Sequence, residues 1–276
     1  MGLIAVTGAT GQVGGRVARG LAAAGVPQRL VVRDPGRAPD LDGADVRAAA
    51  YDDGEALRHA LDGADVLLLV SAAEHADRLA QHRTVVEAAA AAGVRRVVYT
   101  SFLNASPTAT FTFARDHAAT EDLLRAARFE TTFLRDSFYL DVLPGFVTDG
   151  ALRGPAGTGR VGAVARADVA EVALAALLDE SHAGRSYDLT GPEALTLAEV
   201  ADRLTAFGGP PCRYVEETVE EAYASRAGSG APAWMVDGWV STYTAIAAGE
   251  LDVVTDAVRT VTGRPARTLE DVLAGR

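Results

Sequence analysis

A single cysteine, Cys212, leaves no partner for an intramolecular disulfide and no thiol pair for a metal, which fits a reducing compartment. Basic residues are outnumbered: 26 Lys+Arg against 37 Asp+Glu give a net charge of −11, with no basic run to gather them. Such a surface repels nucleic-acid phosphates and anionic lipid, so neither nucleic acid nor membrane is expected as a partner. Five scattered histidines offer no paired metal spacing. No stretch approaches the ~20 apolar residues of a membrane span. The apolar run Leu3 to Val6 is too short for a signal-peptide core, and a cytoplasmic protein is expected. A nucleophile elbow is missing, and the one glycine turn lacks the lysine of an ATP-type phosphate loop.

That turn is the strongest feature present. Leu3 to Val6 runs into Thr7-Gly-Ala-Thr-Gly-Gln-Val-Gly14, and an Ala/Val/Leu pattern at helical spacing follows from about Gln12 to Ala24. Strand, glycine turn and helix in this order aim unpaired N–H groups and the positive end of the helix dipole at whatever lies above the strand. Gly8 permits the tight turn, Gly11 lets a pyrophosphate approach the main chain, and Gly14 lets helix and strand pack closely. The residues expected to hold a dinucleotide here are Gly8, Thr10, Gly11, Gln12 and Val13.

Further apolar runs at Arg29 to Arg33, Asp45 to Tyr51, Asp65 to Ser71, Arg95 to Ser101 and Glu130 to Arg135 read as strands. The segments between them read as helices, including Asp53 to Leu61, Ala76 to Ala92 and His117 to Arg128. Strands joined by helical crossovers give an α/β fold, a Rossmann doubly wound parallel sheet. The second half changes character: short isolated strands, Asp168 capping a helix Val169 to Leu178, and Thr196 capping another to Phe207. The expected organisation is a dinucleotide-binding domain at 1–135 and a smaller, mostly helical C-terminal substrate lobe at 136–276, interleaved with the sheet. Trp234 and Trp239 lie in a late helical stretch and suit helix packing or a homodimer face.

The end of the second strand selects the dinucleotide. An acid there accepts from both ribose hydroxyls and favours NAD, whereas an arginine pairs with a 2′-phosphate and favours NADP. Arg33 is followed by Asp34, and alternation lets only one face the ribose. Asp34 precedes Pro35 and suits the turn, which leaves Arg33 as the NADP(H) reader. The alternative is a surface arginine with Asp34 merely opening the turn. Asp52 follows the third strand, within reach of an adenine amino group, though Asp-Asp before a helix is also an ordinary cap. Ser71 and Ala72 follow the fourth strand, where small residues let the chain pass beside the nicotinamide ribose.

Taken together, Thr7–Gly14, Leu30-Val-Val-Arg-Asp-Pro35, Gln81-His-Arg, Ala91-Ala-Gly-Val94, Tyr99-Thr-Ser101, Asp116-His-Ala-Ala-Thr-Glu121, Arg166-Ala-Asp168 and Thr262-Gly-Arg-Pro-Ala-Arg-Thr-Leu269 span nearly the whole chain. In this order they resemble the atypical short-chain dehydrogenase/reductases of the NmrA-like group, and particularly the bacterial type 2 NADPH:quinone oxidoreductases. The resemblance implies an NADP(H)-binding Rossmann domain with a small substrate lobe. It also implies one of two roles: an NADPH-dependent reductase, or a redox sensor that binds NADP(H) with little turnover.

One departure bears on the chemistry. Dehydrogenases of this superfamily place a serine after the fifth strand and a Tyr-x-x-x-Lys pair on the next helix, where the ammonium lowers the phenol pKa. Ser101 stands at the serine position, but the helix reads Phe113-Ala-Arg-Asp-His117. A quinone fits this deficit, because its reduced product is aromatic and positioning supplies much of the catalysis. His117 is then expected to hydrogen-bond the nicotinamide ribose or carry a proton, its bland alternative being a solvent-facing residue of the first helical turn. Phe102, Phe111, Phe113 and Phe138 form a candidate wall for a planar acceptor, or equally a core between sheet and lobe, and Tyr139 adds a hydroxyl for the acceptor oxygen.

Overall fold

The computed structural model describes residues Gly2–Gly275. Strands β1 (Leu3–Thr7), β2 (Gln28–Val32), β3 (Ala44–Ala48), β4 (Ala64–Leu69), β5 (Arg96–Phe102) and β6 (Glu130–Asp136) come first. Among them run helices α1 (Gln12–Ala23), α2 (Gly54–Leu61), α3 (Arg78–Ala91) and α4 (Thr112–Ala126). Downstream lie β7 (Ala151–Gly154), β8 (Arg160–Val161), α5 (Arg166–Leu178), β9 (Ser186–Leu189), β10 (Leu195–Thr196), α6 (Leu197–Ala206) and β11 (Arg213–Glu216). Four helices finish the chain: α7 (Val219–Arg226), α8 (Ala233–Ala247), α9 (Ala257–Thr262) and α10 (Leu269–Leu273).

The main sheet has seven strands in the order β3-β2-β1-β4-β5-β6-β9. Its pairings β1–β2, β1–β4, β2–β3 and β4–β5 are parallel, with Val6 level with Leu30 on one side and Leu68 on the other. This is the doubly wound Rossmann sheet that the alternation of strands and helices predicts. Central strands of such a sheet are covered on both faces, and Val66, Leu67, Leu68 and Leu69 accordingly lie at 1% exposure or less. Helix α1 buries Val13, Val17, Ala18 and Leu21, a 3.6-residue stripe, and the chain leaves it through Gly25 at φ +66°.

The chain forms two compact units, neither contiguous in sequence, and one of their borders falls between Arg135 and Asp136. The first comprises Met1–Ser101, Asp116–Arg135 and Val169–Tyr187; the second comprises Phe102–Arg115, Asp136–Asp168 and Asp188–Arg276. In the first, Arg96 is 1% exposed and its guanidinium donates to the carbonyls of Ala176 (2.6 Å) and Leu177 (2.8 Å). Those carbonyls belong to the last turn of α5, where a helix has no partners of its own and a cation complements the dipole.

Helices predominate over short strands in the second unit. It contains a parallel pair β7–β11 and an antiparallel pair β8–β10 as well as helices. Thr196 caps α6 as expected, in a reciprocal capping box with Glu199. Asp168 does not cap its helix, because α5 begins earlier, at Arg166, whose N–H donates to Asp141 at 2.9 Å. The Asp168 carboxylate instead accepts from the Arg267 backbone N–H at 2.8 Å and from its guanidinium. Helix α4 likewise starts at Thr112 and not at His117, since Phe113 and Ala114 are buried and extend the helix by packing.

Candidate active site

In the first unit the three glycines of the N-terminal turn have separable roles. Gly8 sits at φ +63°, a conformation that side chains resist. A Cβ on Gly14 would lie 2.4 Å from the Gly8 carbonyl oxygen, so only glycine lets α1 approach β1 this closely. A Cβ on Gly11 would meet nothing nearer than 3.2 Å. Gly11 is therefore not required by backbone strain, and a Cβ there would be a tight contact with the Gly8 carbonyl but a milder one than at Gly14. Gly11 is also the N-cap of α1, with no capping side chain and no acid in the first turn to neutralise the dipole. Exposed Thr10, Gly11 and Gln12 leave an open, electropositive cradle that fits a pyrophosphate. The Val13 side chain is buried, so only its backbone N–H is available to a ligand.

Beneath the turn, Thr7 and Tyr51 tie the strands together, and the sequence reading missed both. Thr7 Oγ1 accepts from the Val70 N–H (3.0 Å) and donates to the Leu68 carbonyl (3.0 Å). The Tyr51 hydroxyl lies 2.6 Å from both Thr7 Oγ1 and the Val70 carbonyl. Burial holds this phenol well above its ordinary range. At the end of β2, Asp34 Oδ1 accepts from the Gly36 N–H at 3.0 Å and opens the Pro35–Arg37 turn. Arg33 stands exposed beside it, with no hydrogen bond or ion pair among the described residues. Asp52 is exposed in the turn after β3.

The loop after β4 rests on a buried polar cluster. The Ser71 N–H donates to Thr100 Oγ1 (2.8 Å) and the Ala72 N–H to His82 Nε2 (2.9 Å). Arg78, 5% exposed, donates Nε–H to the Ala72 carbonyl (3.0 Å) and Nη2–H to His117 Nε2 (2.9 Å). Because a guanidinium is only a donor, His117 accepts at Nε2 and carries its hydrogen on Nδ1, which donates to the Tyr99 hydroxyl at 2.9 Å. The same logic fixes His82: an amide donates to Nε2, so Nδ1–H donates to Thr120 Oγ1 (2.8 Å), which donates to the Asp116 carbonyl (2.7 Å).

This geometry rules out the solvent-facing alternative for His117. It is 6% exposed in the second turn of α4, not a surface residue of the first. Burial, then the Arg78 charge, then His82 push its pKa well below the usual imidazole range, and burial with Arg78 brings His82 down to about 3. Both ring nitrogens of His117 are engaged, Nε2 by Arg78 and Nδ1 by Tyr99, and the ring is held toward its neutral form. The chain contains no lysine at all, so no phenol in it meets an ammonium.

Ser101 is engaged elsewhere. Its hydroxyl donates to Glu121 Oε1 at 2.7 Å. Glu121, 1% exposed, also accepts from Arg135 (2.8 and 2.7 Å) and Arg125 (2.7 Å). Burial alone would raise this carboxyl, but the Arg135 and Ser101 hydrogen bonds and the two guanidinium charges outweigh it and hold it low.

In the second unit the aromatic residues do converge. Phe102 lies 4.8 Å from Phe111 and 5.2 Å from Phe138, ring centre to ring centre, and Phe111 lies 5.1 Å from Phe138. Phe138 is half-buried and keeps part of its ring open. Phe113 packs on Trp234, and a Cβ on Gly238 would collide with its ring, so it is core. Next in sequence to Phe138, the Tyr139 hydroxyl lies 2.8 Å from Asp136 Oδ2, with the Arg166 guanidinium 4.9 Å from the ring centre. Asp136 is 2% exposed and its Oδ1 has no hydrogen-bond partner among the described residues. Burial raises both groups well above their ordinary values, the phenol further so beside Asp136. Among the described residues no cluster of three His, Cys, Asp or Glu side chains suits a metal, and no helix is long and apolar enough to cross a membrane.

The pattern of the NAD(P)H-binding family matches residues 8–180. Over 277 residues the chain is 34% identical to quinone oxidoreductase 2 of Escherichia coli (strain K12), spanning 98% of this chain and 96% of that protein. It is 32% identical over 275 residues to an NAD(P)H azoreductase of Xenophilus azovorans, again spanning 98% and 96%. The crystal structure of an NADPH-dependent quinone oxidoreductase of Escherichia coli complexed with NADPH is similar with a TM-score of 0.89, at 33% identity and 99% coverage of each chain.

Proposed function

Because the chain belongs to the NAD(P)H-binding family, we propose that it is an NADPH-dependent reductase that passes hydride to a quinone or a similar small planar acceptor. One observation carries this reading. The cradle at Gly8–Gly14 is built for a dinucleotide, while the exit of β5 holds no titratable relay, since Ser101 is bound to Glu121 and His117 is a locked neutral ring. A site of this kind suits an acceptor whose reduction is driven by aromaticity more than by acid catalysis.

When bound, NADPH supplies the hydride. The chain's part is binding and orientation. Thr10, Gly11, Gln12 and the Val13 N–H receive the pyrophosphate, and Arg33 pairs with the 2′-phosphate. Asp52 would hold the adenine amino group, and Ser71 and Ala72 would lie beside the nicotinamide ribose. The Arg78–His117–Tyr99 chain fixes the floor on which that ribose rests. In the second unit the half-open ring of Phe138, backed by Phe102 and Phe111, stacks the acceptor, and Tyr139 meets its oxygen. This assigns the second unit as the acceptor-binding part of a cytosolic enzyme, with no nucleic-acid partner on so acidic a chain.

The test is direct: purified protein, NADPH, and a panel of benzo- and naphthoquinones, followed by loss of the nicotinamide absorbance. Saturable quinone-dependent oxidation, weaker with NADH, is the expected result. Tight NADPH binding without turnover on any acceptor would overturn it in favour of a redox sensor. Arg33→Glu is expected to raise the NADPH dissociation constant about 10- to 100-fold, the worth of a charged hydrogen bond, and to leave that for NADH nearly unchanged. Equal effects on the two would remove Arg33 from phosphate recognition.

A further inference from the structure

Asp136 is a buried titratable group that the mechanism above does not use. It lies at the carboxyl end of β6, is 2% exposed, and has no cationic partner among the described residues. Its main chain is fixed, the carbonyl accepting from the Leu103 N–H at 2.9 Å. Among the described residues its side chain has one polar contact, Oδ2 to the Tyr139 hydroxyl at 2.8 Å, and Oδ1 has no partner. A carboxylate in that setting would leave a buried charge uncompensated, whereas a neutral acid would not.

We propose that Asp136, as a neutral acid, donates its hydrogen across this contact to Tyr139 and thereby turns the Tyr139 O–H toward the acceptor oxygen. The inference rests on the reductase reading and makes Asp136 a positioning residue. The direction of the contact is the point. An ionised Asp136 accepts only, so it pins the Tyr139 hydrogen to itself and away from the acceptor. A protonated Asp136 donates, and the phenol hydrogen is released for use. Hydride addition leaves an anionic oxygen on the acceptor. The Tyr139 O–H bond then breaks as the acceptor O–H bond forms, Tyr139 takes the Asp136 proton, and Asp136 recovers one from water. The sum is NADPH, acceptor and one proton giving NADP⁺ and the reduced acceptor. Burial supports the neutral acid by holding Asp136 well above the usual carboxyl range. The other titratable groups that act on the pair are Arg166, over the Tyr139 ring, and Asp141, which accepts from the Arg166 N–H.

Two measurements test this, with NADPH and 1,4-benzoquinone as probes. The first is the pH profile of kcat for the wild type, Asp136→Asn, Tyr139→Phe and the double variant, with NADPH binding read separately by fluorescence. The wild type is expected to lose activity as pH rises and Asp136 ionises, and Asp136→Asn to abolish that decline. Each single variant is expected to lower kcat at neutral pH by about 10- to 100-fold, the low end for a general acid, with NADPH affinity kept. The double variant should be no slower than Tyr139→Phe. An alkaline decline that persists in Asp136→Asn, or two single effects that multiply, overturns the proposal. The second measurement is the infrared carbonyl band of a protonated carboxylic acid in the wild type at neutral pH, which needs no stable variant and no turnover. A missing band with turnover intact overturns the proposal alone; wild-type protein inert toward quinones overturns the reductase reading and the transfer step with it.

Discussion

Glu121 in the first unit and Asp136 in the second are equally buried carboxyl groups, at 1% and 2% exposure, and they are opposites electrically. Glu121 has two guanidinium groups and a hydroxyl on its two oxygens and is held low; Asp136 has a single phenol and is held high. Burial penalises charge in both. What differs is whether the fold supplies partners for the anion. Glu121 has partners on both oxygens, whereas Asp136 keeps Oδ1 without a hydrogen-bond partner among the described residues. That contrast is why we assign Glu121 to structure and Asp136 to chemistry.

The sharpest way to break the comparison is to neutralise each group. Glu121→Gln removes the anion between Arg125 and Arg135 and is expected to cost about 3 kcal/mol in urea unfolding. Asp136→Asn replaces one neutral group with another and is expected to cost under about 1 kcal/mol. A reversed order would mean the two charge states have been assigned the wrong way round.

A second prediction sharpens the pH contrast through the histidines. His82, depressed to about 3, and His117, also depressed, stabilise the fold fully above the unfolded imidazole value and less as pH falls toward their folded values. His82 is expected to contribute about 2 kcal/mol of loss between pH 6.5 and 5, and His117 a loss of the same sign. Glu121 adds to the acid side, since a lowered carboxyl loses its contribution as pH falls below the unfolded value near 4. Asp136 has the reverse sign: its contribution is full below that value and declines as pH rises toward its raised one. Thermal melts of Asp136→Asn should therefore show a shallower decline above pH 4 than the wild type. This is the smallest of the expected differences, and an unchanged slope would argue for an ionised Asp136.

The parts of this molecule legible in the sequence are those whose signal is local. The glycine turn, the apolar run of β4 and the Thr196 box each lie within about eight consecutive residues, and spacing alone identifies them. The buried cluster is not local. Arg78 reaches His117 across 39 positions and His82 reaches Thr120 across 38, so nothing near His117 announces that it will be neutral. The missing Tyr/Lys pair points to a ribose contact or a proton carrier at His117, and neither reading carries any sign of the Arg78 guanidinium beside it. Asp136 was passed over for the opposite reason. A carboxyl between Arg135 and Ser137 looks solvated in sequence, and only the packing of β6 shows it dry.

The arginine at the root of β5 has a consequence for how the chain is made. Arg96 finds its carbonyl acceptors 80 and 81 positions later, in a segment translated after a long stretch of the other unit. At about 5–20 residues per second, a ribosome takes roughly 4–16 s to deliver them. Until then the nascent first unit carries a cation destined for its interior with nothing to receive it. A fragment ended at residue 135 would remain in that condition permanently, lacking both the acceptors and β9, the outermost strand beside β6. The nucleotide-binding half of this protein is thus not a module to be cut free; its completion is written into the later half of the message.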